Sequence, residues 1–193
     1  MLWDNNEDIK LIECDNNART IQRHLNECRE ERRPYVFVTK TMTVKPLRRL
    51  LVPVSMLEEE TYKAEICTYI ARKTGAHIIL LQANDYGSHA KQNVNRIVTH
   101  IKKVNERLSS DSEAAQSPIS YEIVPARKDS FKLVQESAER QRDFQHDLLI
   151  LTASRDYGLD DLLFGPPERK AIQRSLVPVM LVNPREDLFS LCD

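Results

Sequence analysis

The segment Leu151–Pro167, LTASRDYGLDDLLFGPP, follows the apolar run HDLLIL (His146–Leu151) and holds two of the four glycines in the chain. An apolar strand that runs into a glycine-bearing loop and then a helix can bring backbone amides to a phosphate, because glycine puts no side chain in the way. Here Arg155 and Pro166 stand where such a loop wants glycine and a hydroxyl. The segment is a working nucleotide site, a lost one or an ordinary loop, and its surroundings must decide.

Downstream, PERKAIQRS predicts a short helix with proline in its first turn, where the missing N–H is no loss. LVPVMLV is the last strand, and its internal Pro178 belongs at an edge or a strand start. Upstream, a helix is expected from about Ser130 to Gln141, preceded by ISYEIV. The alternation of that run predicts a strand with one face more exposed, at a sheet edge. Before the polar loop SSDSEAAQSP comes the strongest helical signal, with Val94, Ile97, Val98, Ile101, Val104 and Leu108 at steps of three and four. Ser88 is placed to cap that helix. AHIILLQ and RRLLVPVS are further strands, the latter a continuous apolar run as expected when both faces of a parallel sheet are covered. Between them Ser55 and Glu58 have the S-x-x-E spacing of a capping box. The helix that follows carries Tyr62, Ile66, Tyr69 and Ile70 on one face and stops at Gly75. Strict alternation of strands and helices predicts an α/β fold, a doubly wound parallel five-stranded sheet with helices on both faces.

Residues 1–45 hold one more strand, helix and strand, in IKLIEC, ARTIQRHLNECREE and YVFVT. They resemble part of a second α/β unit, too short to bury a core alone. This extension is therefore expected to dock on the main domain, residues 46–185, or to pair with another chain. Residues 186–193 are expected to be a tail.

The composition describes a soluble globular chain, with 41% hydrophobic and 30% charged residues in 193. A formal net charge of −1 argues against broad attraction to nucleic acid or an anionic membrane. Cys14, Cys28, Cys67 and Cys192 have no C-x-x-C spacing, so metal binding is not expected and they read as reduced thiols. No apolar run is long enough to span a bilayer, and MLWDNNEDIK lacks the order of a secretory signal, so a cytoplasmic location is expected.

RRLLVPVS, GAHIILLQA, GLDDLLFG and RSLVPVMLVN, in that order and spacing, resemble the universal stress protein family from Arg48 to Pro184. The resemblance implies an adenine-nucleotide-binding fold with ATP held above the first and fourth strands of the domain. It also implies a loop of form G-x2-G-x9-G-[S/T]. In this chain the glycines are matched by Thr152, Arg155 and Gly165, and the hydroxyl by Pro166, which also lacks an amide hydrogen. Ser55 stands for the aspartate that ends the family's first strand, and Ala83 for a residue beside the adenine. The candidate site is therefore Ser55, Ala83, Thr152, Arg155, Gly158 and Gly165, with its ATP-binding pattern broken. Arg155 either recruits an anion through its guanidinium or pairs with Asp156, Asp160 or Asp161. Gly158 and Gly165 serve as turn or helix-boundary residues in either case.

The five histidines are scattered, and His100 is expected to be structural. No G-x-S-x-G elbow exists and no cysteine has a base partner, so the chain is not expected to be an enzyme. No cofactor is expected, ATP being the one ligand the resemblance leaves open. The resemblance implies a homodimer through the last strand, Val177–Val182, and an unidentified protein partner in a stress response. Two alternatives stay open. One is weak binding and slow hydrolysis of an adenine nucleotide or anion, and the other is a regulatory domain of a larger transport-linked protein.

Overall fold

Each apolar run becomes a strand in the computed structural model, which describes residues 8–28, 31, 33–110, 117–154 and 165–183. The strands are β1 (Lys10–Cys14), β2 (Tyr35–Thr39), β3 (Arg49–Val54), β4 (His77–Gln82), β5 (Tyr121–Pro125), β6 (Leu148–Thr152) and β7 (Val179–Val182). The helices are α1 (Ala18–Cys28), α2 (Lys63–Thr74), α3 (His89–Ser110), α4 (Ser130–Glu139), α5 (Gln141–Phe144) and α6 (Pro167–Arg174).

One sheet runs in the order β1-β2-β7-β6-β3-β4-β5. The five expected strands form its parallel block, with β3 between β6 and β4. The sheet is larger than five strands because β1 and β2 join it as well. β2 pairs antiparallel with β7, with Tyr35 opposite Leu181, Val36 opposite Met180 and Phe37 opposite Val179. This corrects the expectation that Val177–Val182 offers its edge to a second copy, since β2 of the same chain already takes the backbone groups of that edge. Tyr35, Val36 and Phe37 are fully buried, so the extension shares the main core.

Alternate residues of each strand face two separate cores, which is why the central strands read as continuous apolar runs. One core packs Leu50, Val52, Ile78 and Ile150 against α2 and α3 through Ile66, Ile70, Val94 and Ile97. The other packs Leu51, Ile79, Leu149 and Leu181 against α1, α4 and α6 through Ile21, Leu25, Leu133 and Ile172. β5 is an edge strand with Ile123 exposed, as its alternation predicts. Gly75 ends α2 in the left-handed conformation (φ 72°), its N–H reaching the Ala71 carbonyl. A side chain is strained at that φ, so glycine is the residue that stops the helix there. α4 starts at an Asp129 cap whose side chain accepts from the Lys132 amide. No helix among the described residues is long and apolar enough to cross a membrane.

Candidate functional site

The strand order reverses between β3 and β6, and a crevice of about 460 Å³ opens there above the strand ends. This is where open α/β sheets receive ligands, because the connections leave β3 and β6 toward opposite faces. Leu57, Phe131, Leu133, Val134 and Leu151 line its walls, and Ser55, Glu60, Lys63, Thr152 and Glu168 supply its polar groups.

The floor is a closed polar network. A 3-10 turn, Glu58–Tyr62, follows β3 and leads into α2. The sequence suggests an α-helix capped by Ser55 and Glu58, but the tighter turn points Glu60 inward instead. The Ser55 hydroxyl donates to Glu60 Oε1 at 2.7 Å and accepts from the Leu57 amide at 3.3 Å. Thr152 donates to Glu60 Oε2 at 3.4 Å. Lys63, 1% exposed, pairs with Glu60 and donates to the Pro53 carbonyl. Asn93 fixes the same turn by donating to the carbonyls of Ser55 (3.0 Å) and Leu57 (2.7 Å). Such a pair is tolerated in a low-dielectric site only because hydrogen bonds satisfy both ions.

The opposite wall is the start of α6. Pro166 and Pro167 occupy its cap and first position, so two amides that could meet an anion are missing. The next residue, Glu168, is 3% exposed. Its carboxylate accepts from the Ser154 amide at 3.1 Å and from the Ser154 hydroxyl at 3.0 Å. A protein carboxylate thus takes the donors that follow β6, the place a phosphate would use in a nucleotide site of this form. Gly165 adopts φ 78°, and a Cβ built there would fall 1.7 Å from the Arg169 guanidinium. Its glycine is required by that turn and by Arg169.

Of the residues expected from the sequence, Ser55 and Thr152 meet at the floor through Glu60. Ala83 is buried in the second core with its amide on the Val54 carbonyl, and neither it nor Gly165 lines the crevice. Arg155 and Gly158 lie outside the described residues. Glu60, Lys63, Ser154 and Glu168 were not expected. The i,i+3 spacing of Glu60 and Lys63 and a glutamate directly after Pro-Pro were the signals available for two of them. Among the described lining residues there is no histidine or cysteine. Burial pushes the thiol of Cys67 up to about 12 and that of Cys28 up to about 11, so neither is a ready nucleophile. Among the described residues no group of side chains could hold a metal ion. His100 sits against α2, its Nε2 3.3 Å from the Thr68 hydroxyl.

The structure is similar to a universal stress protein from Archaeoglobus fulgidus (TM-score 0.62, 14% identity), covering 93% of this chain and 62% of that one. The chain therefore spans less than two thirds of that relative's length. A universal stress protein in complex with cAMP aligns with TM-score 0.51 and 14% identity, over 73% of this chain and all of that one. A universal stress protein assigned to Pseudomonas aeruginosa UCBPP-PA14 aligns with TM-score 0.50 and 14% identity, over 94% of this chain and 64% of that one. Among curated proteins, none matches the sequence. The model of the universal stress protein family matches residues 46–183, most of the chain. The chain belongs to the universal stress protein family.

Proposed function

We propose that this chain is a non-enzymatic module of a stress response, acting through a protein partner, and that its crevice does not take ATP. The observation that carries the reading is the Glu168 carboxylate on the Ser154 amide and hydroxyl. An incoming phosphate meets a buried negative group in place of free donors. The floor adds to the effect, because Ser55 and Thr152 are already engaged with Glu60. A hydrogen bond to a charged group is worth ~1.5–3 kcal/mol, and ~1.4 kcal/mol is tenfold in affinity. Two such losses take a micromolar site to millimolar or weaker.

Calorimetric titration of the unmodified protein tests this, with ATP and magnesium in one arm and cAMP in the other, since a structural relative is in complex with cAMP. No binding heat is expected below millimolar ligand in either arm. Micromolar affinity for ATP would overturn the reading, and micromolar affinity for cAMP alone would restrict it to triphosphates.

A further inference from the structure

We propose that the amino-terminal strand–helix–strand is a built-in stand-in for a second copy of the chain's own last strand–helix–strand. On this reading β7, once released from β2, pairs with the β7 of another molecule. The two units are built alike. β1 and β2 are parallel and joined through α1, with Leu11 opposite Val36. β6 and β7 are parallel and joined through α6, with Ile150 opposite Met180. The units meet antiparallel with Val36 opposite Met180. A twofold axis through that pair therefore carries Leu11 onto Ile150, and the Tyr35–Leu181 pair onto the Phe37–Val179 pair.

The helices obey the same symmetry. α1 and α6 both pack on the second core, and Asn16 before α1 donates to the Gln173 carbonyl near the end of α6 (3.0 Å). Arg169 near the start of α6 reaches Gln22 Oε1 at 3.4 Å. The tripeptide Ile-Gln-Arg occurs in both helices, as Ile21–Arg23 and as Ile172–Arg174, with both isoleucines fully buried. In a pairing of two identical units, Gln173 of the second molecule replaces Gln22 within reach of Arg169. Met180 then faces Met180, and Val179 faces Leu181.

This is the self-complementarity an isologous interface needs. Val179–Val182 contains no charge and no proline, the residues that normally keep an open edge from pairing. The stand-in is tied down at both ends of the seam. Asn183 donates to the Glu31 carbonyl at 3.0 Å, and the Thr43 amide donates to the Leu176 carbonyl at 2.7 Å.

The test uses the full chain with Cys14 and Cys192 replaced by serine. Val36→Asp puts a carboxylate into the seam without touching residues 46–183. By light scattering its mass is expected to be twice that of the parent chain. Adding Met180→Cys is expected to give a disulfide-linked dimer on oxidation in the Val36→Asp background and none with Val36 intact. A folded monomeric Val36→Asp chain, or association without the link at 180, overturns the proposal. Because that variant risks misfolding, a second measurement inserts a protease site after the exposed Lys45 and cuts the folded chain. Release of the amino-terminal piece on dilution is expected to double the mass of the remaining domain. A released domain that stays single overturns the proposal equally.

Discussion

The seam between β2 and β7 and the crevice between β3 and β6 are both removed from water, but they are made of different material. At the seam, Tyr35, Val36 and Phe37 meet Val179, Met180 and Leu181, and all six are fully buried. At the crevice floor, Glu60, Lys63, Ser55 and Thr152 depend on one another for hydrogen bonds. Apolar burial is non-directional and tolerates small changes of shape. A buried ion pair is roughly neutral for stability when complete and costly when broken. The seam accordingly holds the molecule together. The crevice keeps polar groups in the one place where the fold presents strand ends to a ligand, and satisfies them with its own side chains.

That contrast breaks first at Lys63. Lys63→Met leaves the Glu60 carboxylate buried without its cation, and ~3–5 kcal/mol of stability is expected to be lost. Adding Glu60→Gln removes the stranded charge and is expected to restore most of it. Urea unfolding of the single and double variants measures both, with an unchanged m-value showing that the unfolded state is not responsible.

A second buried polar group lies below β6. Burial lowers the pKa of His146 to about 4 from 6.5, with Arg49 acting in the same direction and Asp147 against it. Neither ring nitrogen has a hydrogen-bond partner within the protein. The unfolded chain therefore binds a proton that the folded chain refuses. The associated stability is complete above pH 6.5 and is lost as pH falls through about 4. That shift corresponds to ~3 kcal/mol, and His146→Leu is expected to flatten the slope of stability across this window. Glu136 adds a loss at lower pH. Burial raises its pKa, but the amides of Arg127 and Lys128 and the Arg140 guanidinium outweigh this and hold it below the ordinary carboxylate range.

The smallest effect is expected at the seam. Met180→Leu, a volume-conserving change at a fully buried position, should cost less than ~1.5 kcal/mol. A larger loss in thermal or urea unfolding would mean that β2 and β7 fit more specifically than apolar packing requires.

The strand–helix alternation was legible because both covered faces of the sheet write continuous apolar runs, and Gly75 marked a helix end by its backbone demand alone. The place of β2 was not legible. YVFVT announces a strand, but nothing local to it says that its neighbour is LVPVMLV, more than a hundred residues away and already fit to pair with a copy of itself. At the site, the substitutions Ser55 and Pro166 showed that the phosphate pattern was broken. What replaced the phosphate was hidden. EEETY reads as a charged helix start, and only the 3-10 geometry turns Glu60 inward. Glu168 reads as a surface residue of a short helix until α6 is set against the end of β6. The isolated HDLL context likewise gave no sign that His146 is enclosed.

A native mass spectrum of the freshly purified, unmodified protein tests the central claim most directly, since it reports retained ligand and subunit number together. The account predicts a single species at the 22.4 kDa mass of one chain, with nothing retained. A species carrying the added mass of an adenine nucleotide would contradict the self-filled crevice. A dimer in the unmodified protein would contradict the sealed β7 edge.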